Sequence, residues 1–146
     1  MRFAFPPPWP AGLKSARLLL IAAALAAGAD AASAPRLHCH IEQGGTVQDL
    51  QFSAVSTPYG VASIPIATRF RFKAVMVGEG QHIAYIKLYT YYQTKRQAML
   101  LQEAKYLAPQ VQAGTDPASL TGIVYLYSPL LGREMVYSCA LREEAA

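Results

Sequence analysis

The chain has 146 residues, 53% of them hydrophobic and 15% charged, with a formal net charge of +4. That length allows one domain, and the charged fraction is well below the usual ~25%. Removing the leader described next leaves ten basic against eight acidic residues, a net of +2, which is a poor match for nucleic acid in an exported protein.

The N-terminus carries part of the apolar excess. Leu18 to Ala27, LLLIAAALAA, is uninterrupted apolar; Arg2, Lys14 and Arg17 precede it and GADAASA follows. A charged region, a short apolar core and a small-residue end make a secretory signal peptide. The apolar run falls short of the ~20 residues that cross a bilayer. Cleavage after Ala31 fits the Ala29-Asp30-Ala31 pattern; a cut after Ala34 fits the small-residue rule but leaves Pro35 beside it. An uncleaved N-terminal anchor is the competing reading. Residues 1–31 are therefore taken as the signal peptide and 32–146 as one mature domain. The leader's style points to a bacterial periplasm or secretion.

Arg36 to Glu42, RLHCHIE, alternates, with Leu37, Cys39 and Ile41 on one face and His38, His40 and Glu42 on the other. That is the period of a half-buried strand. Gly44-Gly45 ends it, and Thr46 to Val55 forms a weaker strand with Leu50, Phe52 and Ala54 inward. Ser56 to Pro65 holds Pro58, Gly60 and Pro65 and reads as a turn and irregular edge. Ile66 to Tyr92 is the clearest stretch, with two alternating runs around Gly78-Glu79-Gly80 that predict a long hairpin.

Gln97 to Leu107 admits two readings. Its Ala, Met, Leu, Gln, Glu and Lys favour a helix, with Thr94 as its cap. It also alternates, and its neighbours are strands, so a strand is preferred. Ala108 to Ser119 is a long loop, Leu120 to Ser128 a strand, and Ser128 to Gly132 a turn. Arg133 to Leu141 is the last strand, with Met135, Tyr137, Cys139 and Leu141 on one face, and Arg142 to Ala146 is a charged tail. Six or seven short strands separated by turn signals predict an all-β antiparallel sandwich.

Cys39 and Cys139 are the two cysteines. In an exported chain they are expected to pair; free thiols or a metal site are the alternatives. A disulfide closing so long a loop contributes on the order of 4–5 kcal/mol in the chain-entropy account. It would join the first strand to the last. Tyr137-Ser138-Cys139 also resembles the Tyr-x-Cys spacing of the immunoglobulin tyrosine corner. The resemblance implies an immunoglobulin-like architecture and no family membership.

Three candidate chemistries follow. His38 and His40 sit two apart on a strand and project from one face, so they could bind Cu(II), Zn(II) or Ni(II), with His82 as a third ligand. The bland alternative is two exposed histidines. In the hairpin, a three-residue connection at Gly78-Glu79-Gly80 pairs Phe72 with Ile86 and Arg71 with Lys87, sorting apolar from polar. Arg69, Arg71, Lys73, Tyr85, Lys87, Tyr89 and Tyr91 then share an outer face. Such a face suits an anionic surface or another exported protein, or is an ordinary solvent face. Catalysis finds no G-x-S-x-G and no opposed carboxylates beyond Glu143-Glu144. The reading is an exported, non-enzymatic binding or assembly module with no cofactor, acting through the hairpin face or an edge strand. A periplasmic metal-binding protein is the alternative.

Overall fold

The computed structural model describes residues 33–145 and, alone in the leader, Ala4. The expected signal peptide, 1–31, otherwise lies outside the described residues.

Eight strands form: β1 Ser33–Gln43, β2 Thr46–Ser53, β3 Ile64–Ile66, β4 Phe70–Glu79, β5 His82–Gln93, β6 Ala98–Leu107, β7 Val124–Tyr127 and β8 Glu134–Ala145. They make two antiparallel four-stranded sheets, ordered β2-β1-β8-β7 and β3-β4-β5-β6, and no helix forms among the described residues. Alternation in the sequence decides what each strand buries. Leu37, Cys39 and Ile41 of β1 and Met135, Tyr137, Cys139 and Leu141 of β8 are buried from the first sheet. Phe70, Phe72, Ala74 and Met76 of β4 and Ile83, Ile86 and Leu88 of β5 are buried from the second, and all belong to one apolar core. The Phe72 ring meets Tyr137 edge-on at 5.2 Å and lies 6.2 Å from Phe52 of β2. The arrangement is thus sandwich-like, with aligned apolar faces as the main source of stability.

Every strand neighbours its successor in its sheet except where the chain passes from one sheet to the other, and β1 pairs with β8. An immunoglobulin domain instead follows the Greek-key order ABED/CFG, with a disulfide between its sheets. Here the disulfide lies within one sheet. Cys39 and Cys139 stand directly opposite on β1 and β8, with Cα atoms 4.1 Å apart, the close spacing of a non-hydrogen-bonded pair. The Cys139 backbone accordingly turns the other way: its N–H donates to Thr121 Oγ1 at 2.8 Å, and its carbonyl accepts from Leu120 N at 3.0 Å. Tyr137 is also not a tyrosine corner. Its hydroxyl donates to Gln102 Oε1 on β6 at 2.8 Å, bridging the two sheets, and burial raises its pKa.

The preferred strand reading of Gln97 to Leu107 holds from Ala98 onward. Other expectations are corrected. The charged tail is not a tail: Arg142, Glu143 and Glu144 extend β8 opposite Arg36, Pro35 and Ala34. Backbone hydrogen bonds form whatever the side-chain polarity, and the like-charge pair Arg36-Arg142 is offset by Glu144, 4.0 Å from Arg36 Nε. The irregular edge contains the three-residue β3, and its Pro65 is confined to an edge as its missing N–H requires;.

The hairpin forms, but with a different turn. Glu79 pairs with His82 around a two-residue connection, Gly80-Gln81, and Gly80 has φ +56°, as the first position of a type II′ turn demands. The register then slips beyond Gly78, with Gly78 opposite Ile83 and Val77 opposite Tyr85, leaving Ala84 as an extra residue. A Cβ on Gly78 would lie 2.3 Å from the His82 carbonyl oxygen, so the bulge needs glycine there. The result pairs Phe72 with Thr90 and Arg71 with Tyr91, not Ile86 and Lys87. From Tyr85 onward the shift is four residues, an even number, so those side chains keep their expected face; before the bulge the shift is three, and Ile83 turns into the core in place of Ala84.

Candidate functional site

The outer face of β4-β5-β6 collects most of the basic and tyrosine residues singled out in the sequence. Three cross-strand rows run over it: Arg71-Tyr91-Leu100, Lys73-Tyr89-Glu103 and Val75-Lys87-Lys105. A fourth row, Val77-Tyr85-Leu107, lies beside the hairpin bulge. These positions carry four cations, Arg71, Lys73, Lys87 and Lys105, against one anion, Glu103.

The charges are organised around tyrosine rings. Lys73 Nζ and Lys87 Nζ lie 5.7 Å and 5.8 Å from the Tyr89 centroid, and Lys105 Nζ lies 5.2 Å from that of Tyr85. Those are cation–π distances. Tyr89 and Tyr91 stack at 6.3 Å with planes 15° apart. Lys87 also donates to Glu103 Oε1 at 2.8 Å, and this bond, followed by the contact with Tyr89, raises the ammonium pKa. Burial, reinforced by Tyr89 and Glu103, raises that of Tyr91. Beneath the cations Val75 is only 3% exposed, flanked along β4 by Lys73 and opposite Lys87, where lysine stems cover sheet surface well.

The expected repulsion of Arg71 by Lys87 does not arise, because the register separates them. A different like-charge pair replaces it: Lys87 stands directly opposite Lys105, an unfavourable match. Glu103 offsets it at Lys87 only, which leaves Lys105 without a carboxylate partner among the described residues. Arg71 is less available than its neighbours, since its Nε donates to Ser63 Oγ at 2.8 Å and its Nη2 to the Ser63 carbonyl at 2.9 Å. Arg69 falls in the turn before β4, where it reaches the Gln93 carbonyl at 3.4 Å. It stands apart from the rows.

Sequence reasoning missed Lys105 and Glu103. Their signal was the odd-numbered alternation of Gln97 to Lys105, which has no clean apolar counterpart to show which side faces out.

His38 and His40 project from the outer face of the first sheet. His38 Nε2 lies 3.5 Å from Glu144 Oε1, and His40 Nδ1 hydrogen-bonds Asp49 Oδ1 at 2.7 Å. His82 opens β5 in the other sheet. Among the described residues, no group of three His, Cys, Asp or Glu side chains is gathered closely enough to hold a metal ion. Among them, too, no helix is long and apolar enough to cross a membrane.

Compared with protein-family models, curated proteins and solved structures, the chain matches none. Its function has to be argued from its own geometry.

Proposed function

We propose that this is an exported, non-enzymatic binding module of the bacterial periplasm that takes an anionic glycan on the outer face of β4-β5-β6. The observation that carries this reading is the pairing of Lys73, Lys87 and Lys105 with the Tyr85 and Tyr89 rings on one side of a sheet. Flat rings offer an apolar surface to a sugar, and ammonium groups beside them meet its phosphates or carboxylates. The phosphorylated head of lipopolysaccharide and a uronate polymer share that chemistry. Export is supported by the leader-like N-terminus and by the Cys39–Cys139 disulfide, a bond of oxidising compartments;.

The test uses residues 32–146 and immobilised lipopolysaccharide, polygalacturonate and neutral dextran. Binding to one or both anionic matrices but not to dextran is expected, weakening as salt rises. Lys73→Glu/Lys87→Glu should abolish it with little change in melting temperature, because both ammonium groups are solvent-accessible. Retention by the double variant, or equal retention on dextran, would defeat the reading.

A further inference from the structure

The four sheet edges are unequally protected. After β2 the chain crosses to the second sheet, where Val55 N donates to the Met76 carbonyl and Gly78 N to the Val55 carbonyl. β3 has three residues and a proline, and β7 has four residues. β2 has eight residues, no proline and one partner, β1; β6 is the longest edge strand at ten residues, also contains no proline, and pairs on one side only, with β5. Among the described residues no backbone hydrogen bond reaches its other side. The pairing with β5 slips once, leaving Leu101 as an extra residue, and Gln102 to Leu107 runs regularly beyond it; a long edge with an unpaired side is a template for another strand. Leu100 and Leu107 along it are 50% and 71% exposed.

We propose that the occupant is a second copy of this chain, with β6 pairing antiparallel to β6 across a two-fold axis at Ala104. Charge selects both partner and register. Matching the two faces of a self-paired strand requires the paired residue numbers to have an even sum. Centring on Glu103 sets Glu103 against itself, and centring on Lys105 sets Lys105 against itself; both are repulsive. Centring on Ala104 sets Glu103 of each copy opposite Lys105 of the other, and does so twice by symmetry, the self-complementarity of an isologous interface. It also brings Gln102 opposite Tyr106, within the regular part of the strand. The Lys105 ammonium, which has no carboxylate partner among the described residues, thereby gains one. Glu103 can keep Lys87, since a carboxylate accepts several donors. The two second sheets become one sheet of eight strands, and the two basic, tyrosine-rich faces become contiguous.

Analytical ultracentrifugation of residues 32–146 at sub-millimolar concentration tests this without any glycan, so its outcome is separate from that of the binding reading. A dimer is expected for the wild type. Glu103→Lys alone and Lys105→Glu alone should each weaken it roughly tenfold or more, because two attractive pairs become repulsive. The two single variants mixed together should form a heterodimer, in which every such pair is again Lys against Glu. The Glu103→Lys/Lys105→Glu protein should dimerise by itself. Recovery in the mixture also shows that both single variants are folded. A monomeric wild type, single variants as dimeric as the wild type, or no recovery on mixing would each overturn the proposal.

Discussion

Replacing Tyr137 by phenylalanine should lower stability at neutral pH and raise it at high pH. The Tyr137 side chain is 1% exposed, and its hydroxyl bridges the two sheets through Gln102 Oε1 at 2.8 Å. Removing the hydroxyl leaves that acceptor without its donor, a cost of about 1–3 kcal/mol when the group is buried. Gln102 is only part-buried, so about 1 kcal/mol is expected. Ionisation acts in the opposite sense. Burial raises the folded pKa above the ordinary 10.0, so above pH 10 the unfolded chain loses this proton while the folded chain retains it. Stability from this group is complete below pH 10 and falls as pH rises, with a limiting slope of about 1.4 kcal/mol per pH unit. At pH 11 the wild type has lost about 1.4 kcal/mol through Tyr137, whereas the variant has no phenol to titrate. The two stability curves should therefore cross between about pH 10 and 11. Other tyrosines titrate in both proteins and cancel from the difference. Urea denaturation followed by far-ultraviolet circular dichroism at pH 7 and pH 11 measures both points. A deficit of equal size at the two pH values would refute the assignment of a buried, bridging phenol.

Four further variants probe the packing. Cys39→Ala/Cys139→Ala should lose about 2–5 kcal/mol of unfolding free energy; a loss under about 1 kcal/mol in denaturant titration would mean that β1-β8 pairing holds the termini without the bond. Gly78→Ala should destabilise by about 1–3 kcal/mol, because its Cβ meets the His82 carbonyl and the Ile83 Cα;. Gly80→Ala finds open space and only the strain of a positive φ, so its melting temperature should fall less. Phe72→Ala removes a ring that touches both sheets and should cost about 3–5 kcal/mol, a loss that calorimetry would register.

Faces were legible in the sequence and registers were not. Alternation alone places Phe70, Phe72 and Leu88 inside and Lys73, Lys87 and Tyr89 outside, because side chains on a strand have a period of two. The same period hides any slip by an even number of residues. The extra residue at Ala84 and the need for glycine at position 78 come from backbone crowding that leaves no mark on hydropathy. Arg142 to Ala145 was misread for a related reason: hydrogen bonds between β1 and β8 do not depend on whether the side chains are charged. The disulfide was legible because a chain with a leader-like N-terminus and two cysteines offers each one partner. Lys105 and Glu103 escaped notice because β6 is an edge strand, partly exposed on both faces, so neither side of its alternation reads as apolar.

Amide chemical shifts of isotope-labelled residues 32–146, followed during titration with polygalacturonate and with lipopolysaccharide-derived phosphosugar, locate the face that binds. Perturbations centred on Lys73, Tyr85, Lys87, Tyr89 and Lys105 are expected, with the β1 and β8 amides unmoved. Perturbations centred on the His38 and His40 face, or saturating shifts that survive in Lys73→Glu/Lys87→Glu, would contradict the binding reading.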